Sequence, residues 1–208
     1  WDGPTDEAGN RLWYGFRPGV LFWNKVIPIG AFYYTLSGKP RPFFLSTYYL
    51  RWVTKNPKQT FESLTVPQYR SLHRQSVTEL ARFSADSADL HPFAAHGGKL
   101  MIDHGIDDPL IPVDGTLDYC RRMLSEVGAD KAEKFFRLYI TPGDGHGSCR
   151  WHAPGITEKD GMQALIAWVE TGSAPQAFRT VQVGKHGDTL RTDKALPYTI
   201  QNHEEDEA

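Results

Sequence analysis

The chain has 208 residues, 23 basic against 25 acidic side chains and a net charge of -2, with 40% hydrophobic residues and an isoelectric point near 6.5. That composition is globular and large enough for a sizeable core, and it excludes a basic footprint for nucleic acid or anionic lipid. Its longest apolar runs, such as Val20-Leu21-Phe22-Trp23, fall far short of the roughly 20 residues of a membrane-crossing helix, so neither nucleic acid nor membrane is expected as a partner.

The first residue is Trp1 and no targeting segment follows it, which suggests a chain processed or cut from something longer. Fourteen of the 26 aromatic residues lie in the first 53 positions, punctuated by Gly-Pro, Pro-Gly and Lys-Pro-Arg-Pro pairs. Such breakers turn the chain, and this quarter reads as irregular structure around an aromatic core. From Pro67 to Ser84 the residues Tyr69, Leu72, Val77, Leu80 and Phe83 follow helical spacing, and the stretch from Asp89 to Gly98 is a break. Lys99 to Asp103 is then a short buried strand, Thr116 to Val127 a helix with Leu117, Cys120, Met123, Leu124 and Val127 on one face and Gly128 as its stop. Phe135 to Ile140 is a second strand and Gly161 to Glu170 a second helix, closed by Gly172. The alternation predicts an α/β fold with parallel pairing. The tail offers one strand, Thr180 to Val183, and an acidic end from His203 to Glu207 that reads as solvated.

Two parallel strands cannot make a domain, because a parallel sheet is covered on both faces and must close its edges. The rest of the sheet is therefore expected from another polypeptide or from sequence lying before this chain.

In an open α/β sheet, reactive groups gather at the carboxyl ends of the strands. The loop after Asp103 carries Asp108-Pro109-Leu110-Ile111-Pro112, and the loop after Ile140 carries Gly145-His146-Gly147. A carboxylate after one strand and a histidine after the next match the last two members of a hydrolase triad in the order Ser, Asp, His. There the histidine accepts the nucleophile's proton and the aspartate orients its ring. Both residues also suit plain turns. His146, Cys149 and His152 space three donors for a metal, in a pattern that fits no common closed zinc site. No Gly-x-Ser-x-Gly is present; Ser37 lies in no strand-to-helix elbow and Ser148 follows the histidine, so the chain carries no convincing nucleophile.

The ordered set Gly97-Gly98-Lys99-Leu100-Met101-Ile102-Asp103-His104-Gly105, Asp108-Pro109-Leu110-Ile111-Pro112, Thr116, Asp118-Tyr119, Phe136-Arg137-Leu138, Pro142-Gly143, Gly145-His146 and Trp168-Val169-Glu170-x-Gly172-x-Ala174-Pro175 resembles the tannase and feruloyl esterase family. Ala88-Asp89-Leu90-x-x-Phe93 and Trp1-x-Gly3-Pro4 with Gly9, Trp13, Gly15 and Gly19 extend the resemblance over most of residues 1 to 176. The resemblance implies the C-terminal part of an α/β-hydrolase sheet, with two or three strands and flanking helices, preceded by part of an aromatic-rich lid domain. On that basis residues 1–95 belong to the lid, 96–176 to the hydrolase domain and 177–208 to a tail.

By the same resemblance the enzyme is a serine carboxylesterase for galloyl or hydroxycinnamoyl esters, secreted or periplasmic. Its catalytic acid falls on Asp108 and its base on His146, with the serine on a missing upstream segment or partner chain, so that this chain alone is inactive. Leu110 and Ile111 occupy positions that can face the acyl group, and packing beneath the loop is the equal alternative. In the family a cysteine usually follows the histidine directly and pairs with one before the serine; here Gly147 stands there, and the bridge is either shifted, with Cys149 as its candidate, or absent. Cys120 reads as a free buried thiol. Leu196 replaces a common cysteine near the closing Arg191-Thr192 and Pro197-Tyr198 pairs. No cofactor is assigned to this chain, since the family's lid calcium would bind upstream. A reading from a different class is a non-catalytic binding or structural subunit that kept the scaffold and lost its nucleophile.

Overall fold

The computed structural model describes residues 2–18, 20, 44–146, 153–184 and 186–199. It divides the chain into two compact units, Gly3–Trp13 with Phe22–Asp86 and Trp1–Asp2 with Tyr14–Leu21 and Ser87–Ala208.

The smaller unit is helical. Helix α1 spans Phe44–Thr54 and helix α2 spans Val66–Leu80. The first is a correction to the irregular structure expected of the aromatic quarter. Tyr48, Tyr49 and Trp52 are weak helix formers, but burial of Leu50 and Val53, three positions apart, overrides propensity. Thr54 returns its hydroxyl to the Leu50 carbonyl at 2.9 Å, and Lys55, with φ at 54°, ends the helix. Helix α2 opens on a reciprocal capping box between Thr65 and Gln68, with Pro67 in the first turn. It stops at Leu80 and passes into a 3-10 turn, Ala81–Phe83.

The larger unit begins with a short helix α3, His91–Ala95, where the sequence reads as a break. Strand β1, Leu100–Gly105, lies parallel to β2, Phe136–Thr141, in a register that puts Leu100 opposite Phe136 and Gly105 opposite Thr141. Between them run α4, Val113–Val127, and the short α5, Ala129–Ala132. Helix α4 starts three residues earlier than its apolar periodicity announces, because Pro112 has already set the chain's direction at its N-cap.

Side chains alternate across the two strands, and each face has its own core. On one, Val113, Leu117, Cys120, Met123 and Val127 of α4 pack with Phe136, Leu138 and the partly buried Leu100, Ile102 and Ile140. On the other, Tyr139 packs with Ile156, Phe178 and Ala195, with Met101 and Ala164 beside them. Helix α6, Glu158–Thr171, is capped by Thr157 at its start and closed by left-handed Gly172. Its Trp168 is fully buried beneath the cations of Lys99 and Arg137.

The tail folds as a hairpin: β3, Phe178–Val183, pairs antiparallel with β4, Thr189–Ala195. Strand β4 is absent from the sequence reading because six of its seven side chains are exposed, so no apolar alternation marks it. Beyond it Tyr198 donates its N–H to the Leu138 carbonyl at 2.7 Å and closes the outer edge of β2. The acidic end lies outside the described residues.

Candidate active site

Both strands of the parallel pair end at the same level, which brings the loops after Gly105 and Thr141 side by side. Three backbone bonds hold them: Ile106 N–H to Thr141 O at 3.1 Å, Asp107 N–H to Asp144 O at 3.0 Å, and, within the first loop, Asp108 N–H to Gly105 O at 3.2 Å. Gly105 is what permits this approach, since a Cβ there would lie 2.2 Å from the Asp144 carbonyl oxygen.

The loops carry a coupled pair. His146 Nδ1 lies 2.9 Å from Asp108 Oδ2. The other carboxylate oxygen accepts the N–H groups of Leu110 at 2.7 Å and Ile111 at 3.0 Å. Asp108 is 5% exposed, whereas the His146 side chain is 37% exposed. A buried carboxylate with three donors is satisfied and fixed in orientation, and an ionised Asp108 requires the proton on Nδ1. Nε2 is then the ring nitrogen that can accept a proton from outside.

The pair opens on a cavity of about 340 Å³ lined by Asp103, His104, Gly105, Asp108, Ile111, Asp144, Gly145, His146 and Glu158. Of the two residues expected near an acyl group, Ile111 reaches the cavity and is half exposed. Leu110 is not part of the cavity wall and contributes its backbone N–H to Asp108.

Four lining residues, His104, Asp103, Asp144 and Glu158, went unassigned in the sequence. His104 carried a signal in its place at a strand end; Asp144 and Glu158 carried none. Although Asp103 keeps solvent access, the protein packed around its carboxyl and the charge of Asp144 push its pKa up to about 7. Cys120 is a free, buried thiol whose pKa burial raises to about 11, a poor nucleophile. Cys149, the candidate for a bridge, lies outside the described residues, as do Ser37, Ser148 and the His152 of the alternative metal set. Among the described residues no three His, Cys, Asp or Glu side chains gather to hold a metal, and no helix is long and apolar enough to cross a membrane.

Adjacent parallel strands flanked by helices, with a buried aspartate after one and a histidine after the next, define the C-terminal end of an α/β-hydrolase. Solved structures agree on the fold: feruloyl esterase B from Aspergillus oryzae superposes with a TM-score of 0.71 at 20% identity, over 95% of this chain and 40% of that one. The chain belongs to the tannase and feruloyl esterase family, whose model matches residues 47–203.

A "Probable feruloyl esterase" of Arthroderma benhamiae is 26% identical over 200 residues, 91% of this chain and 35% of that protein. The tannase of Aspergillus oryzae is 33% identical over 111 residues, 49% of this chain and 19% of that protein. The chain thus spans about a third or less of the length of these two curated relatives.

Proposed function

We propose that this chain is the C-terminal part of a serine carboxylesterase acting on esters of phenolic acids, galloyl or hydroxycinnamoyl, outside the cell. The observation that carries this reading is the 2.9 Å contact between His146 Nδ1 and a buried Asp108 whose other oxygen is held by two backbone N–H groups. The nucleophilic serine comes from a segment upstream or from a partner chain, and residues 1–95 form part of the lid. Strand β1 supports the need for such a segment. Its even-numbered residues bond toward β2, as Leu100 N–H to Phe135 O and Ile106 N–H to Thr141 O show, so by alternation the backbone groups of Met101 and Asp103 face the other way, where a further strand would lie.

In the complete enzyme, the serine attacks the ester carbonyl as His146 Nε2 takes its proton. Asp108 stabilises the imidazolium, which then protonates the departing alcohol. The acyl-serine is cleaved by water, activated through the same nitrogen. Ile111 faces the acyl group across the cavity, and membership of the family supports a phenolic acyl group. A fluorophosphonate is expected to label one serine of the complete enzyme, and His146→Ala to slow ester hydrolysis by about 100-fold or more. An unlabelled enzyme would favour the non-catalytic subunit, and a variant within about tenfold of wild type would remove His146 from the chemistry.

A further inference from the structure

His104 lies on the same cavity as the acid and base, yet the reaction just described gives it no task. Its side chain is 9% exposed and both ring nitrogens have partners. Nδ1 lies 2.8 Å from the hydroxyl of Thr116 on α4, and Nε2 lies 3.0 Å from the carbonyl oxygen of Ile111. A carbonyl can only accept, so in the neutral ring Nε2 carries the hydrogen and Nδ1 receives the Thr116 hydroxyl. The same Nε2 is 3.8 Å from Asp108 Oδ2, too far for a hydrogen bond and close enough to stand behind the carboxylate.

We infer that His104 is a positioning residue for the catalytic acid: it clamps the backbone of residue Ile111 between α4 and the Asp108 carboxylate. The inference rests on the reading of Asp108 and His146 as the acid and base of an esterase. Residue Ile111 is held on both sides of its Cα: its N–H, in the peptide from Leu110, by Asp108 Oδ1 at 3.0 Å, and its C=O, in the peptide to Pro112, by His104. Removing the ring donor frees the peptide between Ile111 and Pro112, and the turn can then shift about the Ile111 Cα and draw the Ile111 N–H away from Oδ1. Oδ1 then keeps only the Leu110 N–H, and the carboxylate loses the orientation that presents Oδ2 to His146. The ring also fills the space beside Asp108, so its loss admits water to a charge now kept nearly dry. A group that acts on orientation alone alters the reactivity of the nucleophile and leaves the affinity for the reagent in place.

The test uses the complete enzyme and a fluorophosphonate, whose reaction with the serine depends on the base without needing the natural substrate. His104→Phe keeps ring volume and removes the donor; it is expected to lower the maximal inactivation rate by about 10- to 100-fold, with the half-saturating reagent concentration changed less than about threefold. His104→Gln, whose amide N–H can reach the Ile111 carbonyl, is expected to recover at least half of that loss on a logarithmic scale. Thr116→Val tests the other end of the clamp and should slow inactivation about threefold or more, which decides the matter if His104→Phe does not fold. A His104→Phe rate within threefold of wild type, equal losses for Phe and Gln, or an unaffected Thr116→Val alongside an unfolded His104→Phe overturns the proposal. His146→Ala in the same assay separates the two readings. If it reacts like wild type, the esterase assignment fails; if it is inert while His104→Phe is normal, only the clamp fails.

Discussion

Asp103 and Asp108 stand five positions apart on one strand and its loop, and their surroundings drive them to different ends. Asp108 is buried but receives three donors, whereas the carboxyl of the solvent-accessible Asp103 is raised to about 7 by the protein packed around it and by Asp144, without a comparable set of donors. A carboxyl raised in the folded state holds its proton where the unfolded chain, near 3.8, has lost it. Asp103 therefore costs stability that grows as the pH rises from about 4 to about 7 and stays constant above. Asp103→Asn is expected to raise the melting temperature relative to wild type at pH 8 and to leave it unchanged at pH 3.5. An equal shift at both pH values would mean that packing, not ionisation, separates the two proteins.

Among the elements, the loops after β1 and β2 depend on a single missing side chain. Gly105→Ala would place a Cβ against the backbone of Asp144, which cannot swing aside as a flexible side chain can. The substitution is expected to destabilise by about 1–3 kcal/mol, the usual cost of overpacking, measurable by denaturant titration, and to lower the ester hydrolysis proposed for the complete enzyme by parting His146 from Asp108. Undiminished activity would show that the two loops can separate at Gly105 without disturbing the pair. The elements also show what patterning can convey. Helix α4 was legible because its apolar residues fall on one face and Gly128 ends it, and β1 and β2 because glycines or charges bound short apolar runs. Helix α1 and strand β4 were not: the first hides among aromatics and prolines, and the second is polar along nearly its whole length. Asp108 and His146 were legible from their places after successive strands, while His104 and Glu158 join the site through contacts that no spacing announces.

At the scale of the molecule, the larger unit carries a sheet of two parallel strands with one edge closed by Tyr198. If a strand from the upstream part covers the other edge, the amide hydrogens of Met101 and Asp103 will exchange with solvent slowly in the complete protein, as slowly as those of Ile102 and His104. Fast exchange at the two odd positions alone would show an open edge and would remove the reason for placing the missing strands beside β1. Helix α6 carries an exposed apolar stripe as well, Met162, Ile166 and Val169, on a helix whose Trp168 is buried.

The sequence by itself determined the order of elements in the C-terminal half, the apolar faces that form its cores and the two loops that bear Asp108 and His146, because these follow from local periodicity and from residues that stop helices and strands. Only the tertiary structure decided that Asp108 and His146 touch, that His104 grips the loop between them, that Asp103 titrates near neutrality and that the tail folds back as a hairpin. Each of these depends on groups brought together through space, and hydrogen-bond geometry and desolvation are set by that proximity, not by separation along the chain.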